Sequence, residues 1–162
     1  MSMETTAPIE PVRKSVRVAC DVEKAFRFFV EDFDAWWPAE RHSRTAHEQY
    51  GPGVKLERVV FEPRLGGRVY EVTSEGEGSW GEVVTFEPPE RFVLAWKPND
   101  RDEPPTEVEV RFVAEDGGTR VELEHRGWER IGARAAEARN GYDGGWQLPL
   151  ERFAAAVAGL GS

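Results

Sequence analysis

From Lys55 to Arg126 the chain is cut into short segments by proline and glycine, and in several of them apolar residues recur at every second position. A period of two marks a half-buried strand. The predicted strands are 55–61, 67–73, 79–86, 91–97, 106–113 and 119–126. Pro63, the turn-like Leu65-Gly66-Gly67, Pro88-Pro89 and Pro98 punctuate them. Alternation is clearest in Phe92, Leu94 and Trp96, and in Trp80, Glu82, Val84 and Phe86.

The strongest hairpin signal is 106–126, where Val108, Val110 and Phe112 answer Val121, Leu123 and His125. Two registers are open. A turn at Asp116-Gly117 sets Glu109 opposite Glu124, which is repulsive. A turn at Gly117-Gly118 pairs Glu115 with Arg120, Arg111 with Glu124 and Glu109 with Arg126. Cross-strand pairs are worth roughly 0.2–1 kcal/mol each, which favours the second register.

The flanks read differently. Residues 12–19 alternate as a first strand with its valines buried. Asp21 then caps a helix that carries Val22, Ala25, Phe26, Phe29 and Phe33 at helical spacing and ends near Asp34. Ala35-Trp36-Trp37-Pro38 forms a short turn, and 40–53 has no period. After Gly127, residues 130–139 suit a helix, Asn140-Gly141 breaks it, and a terminal helix starts near Gly145. Trp146, Leu150, Phe153, Val157 and Leu160 mark its buried face, and Pro149 is tolerable only in its first turn. Strand, helix, a run of antiparallel strands and a C-terminal helix make an α+β domain. A curved antiparallel sheet wrapped around a long C-terminal helix leaves room for a cavity between them.

The 162 residues are enough for one domain, expected at 12–162 behind a disordered tail at 1–11. The formal charge of −9 repels phosphate backbones and anionic lipid, so neither nucleic acid nor membrane is an expected partner. No apolar run approaches the roughly 18–20 residues of a membrane span. The N-terminus does not read as a signal peptide, and the single cysteine, Cys20, permits no internal disulfide. A cytoplasmic location follows as the expectation. A homodimer through an exposed strand edge or the terminal helix stays open.

Candidate site residues come mainly from the aromatics. Trp37, Trp80, Trp96, Trp128 and Trp146 fall at the ends of predicted elements. They suit either the walls of an apolar pocket or ordinary core packing. His125 shares a strand face with Val121 and Leu123 and should point inward. It is read either as a ligand anchor or base, or as a buried imidazole satisfied by the protein. Tyr70 is the other polar anchor considered. An enzyme would need a base from among His125, Glu82 and Tyr70, and no catalytic residue is assigned.

His42 and His47, near Glu40 and Glu48, do not share one helical face and lack a third ligand, so a rim loop rather than a metal site is expected. Cys20 precedes a helix N-terminus but has no evident base, and Gly66-Gly67 reads as a turn rather than a phosphate loop. Parity does not decide which way Arg68 and Glu82 face. Arg130, Arg134 and Arg139 with Glu129 and Glu137 read as a solvated helix face.

Several segments carry a family likeness. Phe61-Glu62-Pro63-Arg64-Leu65-Gly66-Gly67-Arg68-Val69-Tyr70-Glu71 resembles the glycine-turn segment of the START-like, or SRPBCC, superfamily. It is closest in kind to the branch named after the activator of heat-shock protein 90 ATPase. Trp80-Gly81-Glu82-Val83 and Pro88-Pro89-Glu90-Arg91-Phe92-Val93-Leu94-Ala95-Trp96 resemble that branch's next two strands. Thr119 to Leu123, on to Gly127-Trp128, resembles its last strand, and Gly144-Gly145-Trp146 with Leu150 and Phe153 its terminal helix. Trp36-Trp37-Pro38 with His42-Ser43 is similar to a bacterial subset.

The resemblance implies a helix-grip fold, birch-pollen-allergen-like, with six or seven strands around the terminal helix. It also implies a cavity for a hydrophobic or amphipathic small molecule. Trp37, Tyr70, Trp80, Trp96, His125, Trp128 and Trp146 are then the expected ligand-binding set, with no cofactor and no metal. The alternatives are a cyclase- or hydrolase-type enzyme on the same scaffold, or a protein that modulates a chaperone. The family's co-chaperone carries a further N-terminal domain that this sequence does not resemble, so a chaperone partner is not expected.

Overall fold

A computed structural model describes residues 9–160. Seven strands form one sheet: β1 (Val12–Val18), β2 (Leu56–Phe61), β3 (Arg68–Thr73), β4 (Gly76–Glu87), β5 (Arg91–Trp96), β6 (Thr106–Glu115) and β7 (Gly118–Arg126). Their order is β1-β7-β6-β5-β4-β3-β2, and every neighbouring pair is antiparallel. The first strand therefore closes against the last, while β2 to β7 run as a meander. The helices α1 (Val22–Glu31) and α2 (Phe33–Trp36) join β1 to β2. A 3-10 segment (Trp128–Arg134), α3 (Ala135–Gly145) and α4 (Gln147–Leu160) follow β7. This is the expected helix-grip architecture: a curled antiparallel half-barrel closed by the C-terminal helical segment. No helix among the described residues is long and apolar enough to cross a membrane.

Local chemistry explains most of the boundaries. Asp21 accepts the backbone N–H of Lys24 at 2.8 Å and so caps α1, which buries Ala25, Phe26, Phe28, Phe29 and Val30. Of the expected tail, residues 1–8 lie outside the described residues. Residues 9–11 are held rather than loose, because Arg139 donates to the carbonyls of Glu10 and Pro11 at 3.0 and 3.3 Å and Ile9 packs on the core.

The structure overturns three details. First, the hairpin between β6 and β7 adopts the register the charges disfavour: Glu115 pairs with Gly118, and Glu109 lies opposite Glu124. Asp116 (φ 45°) and Gly117 (φ 81°) both take left-handed conformations, the requirement of the two-residue turn whose twist matches a hairpin. The repulsion is answered by arginines. Arg126 contacts Glu109 at 2.6 Å and Glu124 at 3.1 Å, and Arg91 and Arg111 reach Glu109 at 2.8 and 2.9 Å. Burial alone would raise the Glu109 carboxyl, but hydrogen bonds from Arg126 and Arg91 hold it below the usual carboxylate range.

Second, the expected face Trp80-Glu82-Val84-Phe86 does not exist. Register shifts at Val69/Tyr70 and at Val83/Thr85 place two bulges in β4. Trp80 and Val83 face inward, whereas Val84 is 40% exposed. Each bulge inserts a residue and sharpens the bend, so this long strand curls with the sheet.

Third, Asn140-Gly141 breaks nothing. α3 runs through it to Gly145, and Trp146 keeps right-handed angles (φ −76°, ψ −15°) into α4. A helical glycine costs about 1 kcal/mol against alanine. Burying an aromatic such as Trp146 contributes roughly 2 kcal/mol or more, which outweighs it. The break falls earlier, at Gly132 (φ 63°), so the expected helix over 130–139 is divided.

The space inside the grip has two halves. In one, Phe26 and Phe29 from α1, Phe92 from β5, Phe112 from β6 and Phe153 from α4 pack solidly, with ring centroids from 5.0 to 6.3 Å apart. Phe33 stands at the boundary, its ring stacked 5.0 Å from Trp37. Beyond it the aromatic lining turns from phenylalanine to tryptophan, and the packing opens.

Candidate ligand-binding cavity

The opening is a cavity of about 640 Å³. Trp37, at the end of α2, Trp80 on β4 and Trp96 on β5 wall one side, and Trp128, Tyr142 and Trp146 from the C-terminal segment wall the other. Neighbouring rings hold one another: Trp37 lies 5.4 Å from Trp80 and 5.9 Å from Trp146, and Trp96 lies 5.6 Å from Trp146. The cavity sits mainly under α3, while Phe153 of α4 packs against Phe28, Phe29 and Trp36 in the solid half. The exposed lining residues Arg101, Pro104, Glu137 and Gly141 mark the mouth.

Each indole N–H of this wall donates into the protein. Trp37 donates to the His42 carbonyl at 2.7 Å, Trp80 to Glu71 at 2.7 Å and Trp96 to the Tyr142 hydroxyl at 3.1 Å. Trp128 donates to the His125 carbonyl and Trp146 to His125 Nδ1, both at 3.0 Å. The tryptophans pack against one another with their polar atoms already satisfied, and Trp37, Trp96 and Trp146, at 8%, 6% and 5% exposure, show parts of their rings to the cavity.

His125 is fully buried behind this wall and is not among the lining residues. An indole N–H only donates, so Nδ1 accepts from Trp146 and Nε2 carries the proton that meets Thr106 Oγ1 at 2.7 Å. Burial lowers its pKa to about 3, so the ring is neutral across the physiological range. It satisfies the wall rather than reaching a ligand.

Tyr70 is also absent from the cavity. It alternates with the buried Val69 and Glu71 on β3, and the Arg68 guanidinium lies 4.4 Å over its ring. Glu82 is exposed on β4 and does not line the cavity either. The structure therefore brings together the five expected tryptophans and leaves out Tyr70 and His125. Tyr142 and the residues of two loops were not read from the sequence as site residues.

Those loops order the mouth. The segment 38–55, which contains the aperiodic 40–53, is fixed by a carboxylate on the sheet. Glu71, fully buried, accepts the backbone N–H groups of Arg44 at 2.6 Å and Thr45 at 3.0 Å, together with the Thr45 hydroxyl and the Trp80 indole. The Arg44 side chain then reaches Asp100 at 2.6 Å, and Gln49 donates to the Pro98 carbonyl at 3.1 Å. These contacts tie 38–55 to the 97–105 loop.

Four cationic side chains line the mouth, Arg44, Lys97, Arg101 and Arg134, against the acids Glu103 and Glu137. His42 and His47 line it too, and burial, with His47 beside it, lowers the His42 pKa. Among the described residues no group of three or more His, Cys, Asp or Glu side chains is placed to hold a metal ion. The expected solvated arginine face is instead a set of tethers. Arg134 grips Glu103 at 2.6 and 3.3 Å, joining the helical segment to the 97–105 loop, and Arg139 holds the N-terminal residues. Cys20 is half-buried, and burial raises its thiol pKa.

A curled sheet gripping a C-terminal helical segment over an aromatic cavity defines the START-like, helix-grip class. Residues 19–158 match the family described as activator of Hsp90 ATPase homolog 1-like protein, and the chain belongs to that family. No curated protein matches the chain significantly. Among solved structures it is similar to CalC, described as a self-sacrificing resistance protein from Micromonospora echinospora. The identity is 31%, the match covers 94% of this chain and 97% of that one, and the TM-score is 0.68. It is also similar to Txn09, described as an anthrahydroquino-gamma-pyrone synthase complexed with SUM. There the identity is 33%, the coverage 91% and 96%, and the TM-score 0.58. The Aha1 dimer from Colwellia psychrerythraea is 12% identical with a TM-score of 0.62, over 92% of this chain and 96% of that chain, and shares the fold.

Proposed function

We propose that this protein binds a planar, largely apolar aromatic small molecule carrying an acidic group. The observation that carries the reading is the division of the interior. One half is packed solid by phenylalanines, while the other presents satisfied tryptophan faces to a cavity of about 640 Å³. That volume lies in the range of small-molecule sites, which are lined mainly by apolar and aromatic side chains. With Arg44 paired to Asp100 and Arg134 to Glu103, Lys97 and Arg101 outnumber Glu137 among the remaining lining charges, which favours an anionic substituent there. The 33% identity to an enzyme described as making an anthrahydroquino-gamma-pyrone supports a polycyclic aromatic ligand.

Titration calorimetry with anthracene-2-sulfonate tests the reading. Binding is expected in wild type and is expected to be lost in Ala138→Phe, which fills the cavity from α3 while leaving the tryptophans in place. Ligand at 100 times its Kd should stabilise the fold by about 2.7 kcal/mol. No heat and no thermal shift in wild type, or equal affinity in the filled variant, overturns it.

The same identity supports a second reading, in which the cavity catalyses a cyclisation of such a molecule. Its base would come from lining residues such as His47 or Glu137, since His125, Glu82 and Tyr70 do not line the cavity. Turnover of a bound polyketide-like substrate, followed by mass spectrometry, separates enzyme from carrier.

A further inference from the structure

Tyr142 projects from α3 into the tryptophan wall, its ring 6.2 Å from Trp146 and stacked on it, and 5.6 Å from Trp128. Its hydroxyl accepts the Trp96 indole N–H at 3.1 Å. Because an indole only donates, this bond occupies a lone pair of the phenol oxygen and leaves its O–H hydrogen uncommitted. Trp96 is the only hydrogen-bond partner of that hydroxyl among the described residues.

The rest of the aromatic wall has no such donor. All five indole N–H groups are spent on the protein. The Thr106 hydroxyl receives His125 Nε2–H and is within 3.3 Å of the Trp96 carbonyl, to which it donates. At the mouth Arg134 is paired with Glu103 and Arg44 with Asp100, across the loops. An uncommitted donor on an otherwise apolar wall is selective, because a ligand that expels its water without offering an acceptor leaves it unpaired.

We propose that the Tyr142 hydroxyl is the specificity donor of the cavity, selecting among planar aromatic ligands those with a carbonyl or quinone oxygen on the edge that meets α3. This deepens the proposed function and rests on it. Burial raises the Tyr142 pKa, so the phenol keeps its proton at neutral pH.

The test compares anthraquinone-2-sulfonate with anthracene-2-sulfonate, which share shape and charge and differ in the ring carbonyls. By calorimetry, wild type is expected to bind the quinone about fivefold tighter, the size of one net hydrogen bond. Tyr142→Phe should reduce that preference to less than twofold. Comparing the two ratios cancels the difference in stacking strength between the rings.

A second measurement does not depend on the variant folding. The chain has three tyrosines, so wild type labelled at the tyrosine Cζ gives three carbon resonances, assigned through Tyr50→Phe and Tyr70→Phe. The quinone, and not the hydrocarbon, should shift the Tyr142 signal. Equal affinity for the two probes in wild type, a preference that survives Tyr142→Phe, or no quinone-specific shift overturns the assignment to Tyr142 and leaves the cavity reading standing. Failure of both probes to bind overturns the two together.

Discussion

Trp146 donates its indole N–H to Nδ1 of His125 at 3.0 Å, and this one bond fixes the tautomer of the ring. The junction of α3 and α4 is thereby tied to β7, and through Thr106 to β6. The imidazole works only in its neutral form, because protonation would set two N–H groups against each other at Nδ1.

Stability should therefore depend on pH through His125. Its folded pKa, about 3, lies below the ordinary value near 6.5, so the unfolded chain binds the proton first. The stabilisation is complete above about pH 6.5 and is lost as pH falls towards 3, at about 1.4 kcal/mol per unit. Urea unfolding at pH 7 and pH 5 should show this slope in wild type and a shallower one in His125→Gln. Equal slopes would exclude His125 as the source.

The buried Glu71 carboxylate organises the mouth from the sheet. Glu71→Gln replaces one acceptor oxygen by an NH2 group that faces donors. It should cost about 3 kcal/mol in urea unfolding. Hydrogen exchange at the Arg44 and Thr45 amides, both bonded to Glu71, should quicken at least about tenfold. Unchanged exchange at those two amides would show that the loop is held by something else.

The Arg44–Asp100 contact ties the two mouth loops from an exposed carboxylate. Asp100→Asn should lower the unfolding temperature modestly, since it takes the counter-charge from the buried Arg44 guanidinium while Gln49 and the Ser79 carbonyl still accept from it. It should raise the dissociation rate of anthracene-2-sulfonate about two- to threefold in stopped-flow measurements, as the loops part more readily. Equal rates would place the exit route elsewhere.

Gly117 sits at φ 81° in the β6–β7 turn. Gly117→Ala forces a side chain into the left-handed region and should cost about 1–2 kcal/mol, read as a lower midpoint in thermal unfolding. A neutral result would argue against the two-residue turn.

Much of this fold can be read from the sequence because a period of two survives in most of the six segments after residue 54, β2 losing it at a register shift between Leu56 and Arg58. It fails in β4, where two bulges shift the inward face between Trp80 and Val83, and side-chain pattern does not encode a bulge. The hairpin register is misread for a different reason. Weighing two strands in isolation misses Arg91, which reaches Glu109 from β5.

The tryptophan wall is legible because Trp37, Trp96, Trp128 and Trp146 fall at the ends of elements, whereas Trp80 lies inside β4 at its first bulge. Tyr142 is not, since the surrounding Asn140-Gly141-Tyr142-Asp143-Gly144 reads as a helix break, and only tertiary packing makes it a helix. The loop over 38–55 is silent because its order comes from Glu71, far along the chain. His125 is correctly placed inward by parity, but parity cannot show that both its nitrogens are already engaged.

The crowding of the tryptophans has an optical consequence. Trp37, Trp80, Trp96 and Trp146 form a circuit with adjacent ring centroids 5.4 to 6.1 Å apart, and Trp36 joins it 5.8 Å from Trp37. At such separations excitation passes readily from one indole to the next before it is emitted. The wall then fluoresces as a single antenna, and a quinone seated against any one of its rings darkens them all.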